Sequence, residues 1–196
     1  MKDIKIIDNF LGDSYYHHLE YLIFSRETRW IFCEDITSTG SEALSVRNLG
    51  FSVPLVDQDT PTSLLAATLS GFYCGVKDVI GDRFQYIYRS RLDMTVCSDE
   101  KYLHKPHIDL DVRNVTTIFY FTDNEDAETV FYDKRLGPND LNDDIDFSKL
   151  KEYKKVSPKR NRLVLFDGAR LHTGHSPTKE AKRVLLNTNF SDPPVE

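Results

Sequence analysis

The strongest constraint on the fold is the succession of β-type runs in the second half of the chain. Five runs rich in β-branched and aromatic residues, Phe84 to Val96, Val115 to Thr122, Thr129 to Tyr132, Arg162 to Phe166 and Arg183 to Phe190, are separated by polar segments. No helix of ten residues with an apolar face lies between them. Parallel strands need a long, usually helical crossover, so a parallel βαβ sheet is disfavoured and the runs are expected to form a sandwich, barrel or jelly roll.

The first part of the chain reads differently. Lys5 to Leu11 predicts a short strand, followed by a helix with Tyr15, Leu19, Leu22 and Ile23 on one face and Asp13 or Ser14 as N-cap. A second helix is expected from Thr60 as cap, Pro61 at the first position, and Leu65, Leu69, Phe72, Val76 and Val79 at three- and four-residue steps, ending at Gly81. Residues 1–83 are therefore expected to be a helical support for a β core at about 84–190, in one domain spanning 1–196, an ordinary size for a single core. The polar stretch from Asp133 to Arg160, 28 residues long, exceeds most internal connections and reads as an active-site lid or a surface insertion. Its acidic part, Asp140 to Asp146, is not a calcium loop: Ile145 stands where a turning glycine is needed and Lys151 where a bidentate glutamate is needed.

Composition narrows the function classes. The chain carries 25 Lys and Arg against 31 Asp and Glu, a net charge of −6, and its pI of about 5.5 argues against a chain built to neutralise phosphates. Cys33, Cys74 and Cys97 form an odd, widely spaced set without a C-x-x-C pair, which fits neither a disulfide framework nor structural zinc. Carboxylates among the first eight residues and the lack of any ~18-residue apolar run leave no signal peptide or membrane span. A cytoplasmic protein without membrane or nucleic-acid partners is expected.

Six histidines, at positions 17, 18, 104, 107, 172 and 175, carry the chemical signal. In Leu103-His104-Lys105-Pro106-His107-Ile108-Asp109 an extended backbone turns His107 and Asp109 to the same side while Ile108 faces away. A second histidine-bearing turn, Asp167 to Pro177, follows the apolar run Leu163 to Phe166 and places His172 65 residues beyond His107. Two imidazoles and one carboxylate on one face of an octahedron leave three positions open, the ligand set of non-haem Fe(II) oxygenases. His104 competes with His107 but lacks the carboxylate two residues on, and His175 competes with His172. His17 and His18, on the first helix, read as surface residues.

The order His107-x-Asp109, His172 and then Arg183 eleven residues later resembles the Fe(II)- and 2-oxoglutarate-dependent dioxygenases, nearest to their prolyl-hydroxylase-like branch. The resemblance covers residues 84–190 and includes the strand Val115 to Tyr120, the segment Glu128-Thr129-Val130-Phe131 and the approach Pro158 to Phe166; the opening Ile7-Asp8-Asn9-Phe10-Leu11 is also similar. The pattern departs at Asp126-Ala127, where the branch has a glycine pair, and at Arg183-Val184-Leu185, where Arg-x-Ser is common.

The resemblance implies a mainly β fold, a double-stranded β-helix of the jelly-roll, cupin-like type with supporting N-terminal helices. It implies that His107, Asp109 and His172 hold Fe(II), that Arg183 binds the far carboxylate of 2-oxoglutarate, that Tyr120 hydrogen-bonds the same carboxylate, and that Thr116, on the same strand face, is a further cosubstrate-binding residue. His172 is preferred over His175 because the latter would shorten the spacing to Arg183 below the family's usual nine to eleven. An arginine inside a β-run independently demands an anion or solvent. Implied partners are 2-oxoglutarate and O2 as cosubstrates, ascorbate as an accessory reductant, and a protein side chain, proline among them, or a small molecule as the substrate to be hydroxylated. Nucleic-acid demethylation is disfavoured, since that branch has a second arginine where this chain has Asn189. Two other readings use the same barrel: a non-catalytic jelly-roll binding protein, and a cupin-type isomerase, which would show more histidines in its first metal motif. The oligomeric state is not legible.

Overall fold

The computed structural model describes residues 3–36, 48–137 and 146–193. In chain order the elements are β1 (Lys5–Ile7), α1 (Asp13–Ile23), β2 (Ile31–Cys33), β3 (Gly50–Asp57), β4 (Thr60–Pro61), α2 (Leu64–Thr68), α3 (Ser70–Ile80), β5 (Tyr86–Val96), β6 (Asn114–Tyr120), β7 (Thr129–Arg135), β8 (Glu152–Val156), β9 (Arg162–Asp167), β10 (Arg170–Gly174) and β11 (Lys182–Ser191). A large sheet runs β1-β9-β6-β11-β5-β3-β2, with β4 paired to β3, and a small sheet runs β10-β7-β8. All these pairings are antiparallel. Bridges Leu103↔His175 and His107↔His172 lay the segment 103–107 along β10, so the H-x-D motif borders the small sheet. Two facing antiparallel sheets wound in this order form the expected jelly-roll core.

Period-two alternation sorts the large sheet into two faces. Phe119, Leu163, Leu165, Val184, Leu186, Phe190 and Leu92 point outward into one cluster with Leu19 and Ile23 of α1 and Leu69, Phe72 and Val76 of the second helical stretch. Ile118, Tyr120, Val164, Phe166 and Leu185 point inward, where Phe131 and Val156 of the small sheet meet them. The helices thus cover one face and the small sheet the other. Toward β5 the inner face turns polar: Arg91, Asp93 and Thr95 alternate with the outward Leu92 and Met94.

Several expectations change. Thr60 and Pro61 do not open a helix; they form β4, which returns on β3 through Gln58 and Asp59, both at positive φ (46° and 59°). That tight turn lacks the Asn-Gly or Asp-Gly pair that would mark it. The helix begins after Ser63, steps at Leu69 and ends at Gly81, whose φ of 85° suits a glycine stop. On α1 the buried positions are Tyr16, Leu19 and Ile23; Tyr15 instead sends its hydroxyl to Thr68 O at 2.7 Å. The support of residues 1–83 is not purely helical, because β3 pairs along β5 and extends the large sheet. The stretch 133–160 contains β8, paired to β7, and a 3₁₀ turn at Phe147–Lys149. Most of the acidic run from Asp140 lies outside the described residues. The three cysteines are free.

Phe119 is fully buried and packs against Phe72 (centroids 5.2 Å) and Phe121 (5.0 Å), joining the sheet to the helices. Phe119→Ala is expected to lower unfolding free energy by about 3–5 kcal/mol, as measured by urea denaturation.

Candidate metal centre

Backbone pairing brings the H-x-D motif to the distal histidine. His107 N–H donates to His172 O at 2.9 Å and His172 N–H to His107 O at 3.0 Å. Residues that exchange both bonds stand directly opposite with side chains on one face, and the two ring centroids are 4.9 Å apart. Asp109, two residues on, returns to that face. Its Oδ1 lies 3.8 Å from His107 Nε2 and its Oδ2 4.0 Å from His172 Nε2, and one donor atom from each of the three falls within 4.8 Å of the others. His175, opposite Leu103, is not in this group. Nor are His17 and His18, exposed on α1.

Both imidazoles are oriented through Nδ1. His107 Nδ1 donates to Lys105 O at 3.0 Å and His172 Nδ1 to Arg170 O at 3.1 Å. A carbonyl only accepts, so Nδ1 carries the proton and Nε2 keeps its lone pair toward the carboxylate. Metal-binding imidazoles are held in this way by a second partner. Burial pushes His172 down to about 4 against the opposing pull of Asp109, so the ring is neutral near pH 7, the state a metal requires.

Asp109 has a side-chain exposure of only 3%. Burial alone would raise its pKa, but His172, Arg89, His107 and the Asn187 amide outweigh that and hold it well below the usual carboxylate range. Asn187 and Asn189 donate through Nδ2 to Oδ2 at 3.0 and 3.1 Å, and Arg89 approaches Oδ1 at 3.3 Å. The donor set, two neutral imidazoles and an ionised carboxylate fixed from behind, fits a divalent metal that keeps open positions.

Arg183 lines the same cavity and is 6% exposed. Its NH2 donates to Thr129 Oγ1 at 2.6 Å, its guanidinium lies 5.6 Å from the Tyr120 ring centre, and its buried Nε has no partner. A Cβ at Gly174 would stand 2.9 Å from its Nη1, so a larger residue there would displace the guanidinium. Tyr120 and Thr116 do not line the cavity. The Tyr120 hydroxyl is 2.6 Å from Thr129 Oγ1, and Thr116 Oγ1 accepts from Asn189 Nδ2 at 3.1 Å. Each reaches the site through another residue, Tyr120 through Thr129 and Thr116 through Asn189.

Sequence reasoning missed Arg89, Thr129, Asn187 and Asn189. The asparagines left a readable signal, since positions 183, 187 and 189 are polar on one face of an otherwise apolar strand. Arg89 left none, because its role depends on the pairing of β5 with β11. His104 holds the motif in place: its ring contacts Ser176 Oγ (3.0 Å) and Asn48 Oδ1 (3.3 Å), its N–H donates to Gly174 O, and its carbonyl accepts from Thr173 Oγ1 at 2.6 Å.

A family model described as the 2OG-Fe(II) oxygenase superfamily matches residues 94–191, half of the chain, with His107, Asp109, His172 and Arg183 among them. The chain belongs to that superfamily. Its cofactor is accordingly Fe(II) and its cosubstrates are 2-oxoglutarate and O2. Among solved structures, a Pseudomonas putida prolyl-4-hydroxylase is similar at 14% identity (TM-score 0.60; 98% of this chain, 94% of that one). A Trichoplax adhaerens prolyl hydroxylase in complex with a hypoxia inducible factor peptide is similar at 17% (0.59; 98% and 84%). HygX of Streptomyces hygroscopicus, with nickel, 2-oxoglutarate and hygromycin B bound, is similar at 11% (0.61; 97% and 83%). At these identities the likeness is one of fold. No curated protein matched the sequence. Among the described residues no helix is long and apolar enough to cross a membrane.

Two outcomes are expected of an oxygenase site built this way. Asn189→Ala removes one of two amides from Asp109 Oδ2 and should weaken divalent-metal binding about 10- to 100-fold, as measured by Co(II) titration of the metal-free protein. His104 is held neutral, with burial pushing it down to about 4 from an unfolded value near 6.5. Between those values the unfolded chain binds the proton and the native protein does not, so stability should be fully present above about 6.5 and fall as pH drops toward 4. Urea unfolding across that range should show a shallower fall in His104→Gln.

Proposed function

We propose that the protein is a hydroxylase in which His107, Asp109 and His172 hold Fe(II) and Arg183 binds the far carboxylate of 2-oxoglutarate, with residues 1–196 acting as one oxygenase domain. The observation that carries this reading is the convergence of two Nε2 lone pairs and a buried carboxylate in a cavity that also receives a buried arginine with an unpartnered Nε. In the balanced reaction a substrate C–H, O2 and 2-oxoglutarate become C–OH, succinate and CO2. Iron and cosubstrate, when bound, supply the oxidising chemistry.

The chain supplies orientation and shelter. Arg183 offers a permanently charged, two-pronged donor to a carboxylate. Thr129 fixes its NH2, and Tyr120 packs on the guanidinium while bonding Thr129, so Tyr120 serves the cosubstrate at one remove. Thr116 serves Asp109 through Asn189. Phe166 and Phe131 flank His172, with centroids at 4.8 and 6.2 Å, and keep water from that side of the site. The substrate is a small molecule or a protein side chain bearing an unactivated C–H.

Anaerobic addition of Fe(II) and 2-oxoglutarate should produce a visible charge-transfer band that fades, with succinate release, when O2 is admitted. His107→Ala should lose both, and a protein that forms no band under saturating conditions is not an oxygenase of this kind. Arg183→Ala should raise the 2-oxoglutarate requirement about tenfold or more; an unchanged requirement would reassign that arginine.

A further inference from the structure

The inner face of β5 carries a charged cluster that the hydroxylase reading leaves unused. Antiparallel register sets Arg91 opposite Asn187, Asp93 opposite Leu185 and Thr95 opposite Arg183, so these side chains face the cavity that holds the triad. Arg91 Nε donates to Asp93 Oδ2 at 2.9 Å, with side-chain exposures of 21% and 10%. Ser52, opposite Asp93 on β3, contributes its hydroxyl. Asp93 Oδ1 is nonetheless buried without a hydrogen-bond partner, and so is Asn187 Oδ1 on the neighbouring strand. Two buried acceptors without donors are costly, and a buried ion pair is seldom a better stabiliser than apolar residues of the same volume. Their position beside the triad points to a ligand.

Charge counting narrows its chemistry. Of the charged residues lining the cavity, Arg91 and Arg183 balance Asp93 and Asp109, and Fe(II) cancels a doubly charged 2-oxoglutarate, so a ligand of no net charge fits. Asp93 Oδ1 lacks a donor, while the Arg91 guanidinium beside it favours an anion. One small molecule answers both when it carries an ammonium and a carboxylate close together. Arg183 and Leu185 on β11 mark the track from the cosubstrate anchor to the triad, which leaves the β5 side for the substrate.

We propose that the substrate is a free amino acid, its ammonium held by Asp93 and its carboxylate facing Arg91. This rests on the hydroxylase reading and refines it. A residue inside a peptide, proline included, has an acylated α-nitrogen and no free α-carboxylate, and does not offer the two groups side by side.

The test uses protein loaded anaerobically with Fe(II) and 2-oxoglutarate, then given O2 with each of the twenty common L-amino acids or its N-acetyl amide. At least one free amino acid should perturb the charge-transfer band and raise succinate release, and its capped form should do neither. Asp93→Asn should require about tenfold or more of that amino acid. The double variant Arg91→Met/Asp93→Leu, which strands no buried charge, should lose the response. A band that no free amino acid perturbs, a capped form that acts as well, or a double variant that responds like the wild type would overturn the proposal while leaving the hydroxylase reading standing. Failure of the band itself in the wild type would sink both.

Discussion

The reciprocal hydrogen bonds between the backbones of His107 and His172 are the interaction on which the site depends. Sixty-five residues of chain separate these positions, and closing a loop of that length costs conformational entropy before any contact rewards it. The return comes from sheet formation, since the same winding that seats 103–107 along β10 also stacks the two sheets over their shared core. Once the pair is formed, the pleat fixes both imidazoles on one face, and Asp109 follows by the two-residue period. The two carbonyls at Lys105 and Arg170, each two residues before its histidine, then orient the rings identically. A slip of one residue in this register would turn the histidines to opposite faces.

The inner surface of the large sheet divides into two regimes. Along β6 and β9 it is apolar and meets Phe131 and Val156 in a dry core. Along β5 and β11 it carries three arginines, two asparagines and an aspartate, which are expensive to bury unless paired or liganded. Much of that cost is offset internally: Arg89 and both asparagines hold Asp109, Thr129 holds Arg183, and Arg91 holds Asp93. Arg183 Nε, Asp93 Oδ1 and Asn187 Oδ1 are among the atoms left without hydrogen-bond partners, and these three belong to residues lining one cavity. The outer face of the same strands is apolar under the helices, so the sheet serves as packing surface on one side and binding surface on the other.

Legibility varied with the range of the interaction. Strands β5, β6, β9 and β11 were visible because period two is local. Strand β3 and the β3–β4 hairpin were not, because Gln58 and Asp59 turn the chain without the usual glycine. Strands β8 and β10 are short, and β8 is mostly polar at an edge of the small sheet, so neither showed a convincing pattern. His107 and Asp109 could be grouped by spacing alone, whereas choosing His172 over His175 from sequence needed a resemblance. In the fold, strand register separates the two histidines, setting one opposite His107 and the other opposite Leu103.

The sequence by itself determined an antiparallel β protein, an H-x-D motif with its two groups on one side, a distal histidine and an arginine inside the last long strand. These are consequences of backbone periodicity and residue chemistry within a few positions. Only the tertiary structure decided which residues stand behind the carboxylate, that Thr129 hydrogen-bonds Arg183 while Tyr120 packs on its guanidinium, and that Arg91 and Asp93 share that space. The physical reason is that cross-strand neighbours are set by register between segments far apart in the chain, and a single sequence carries no local record of which strand will lie beside which.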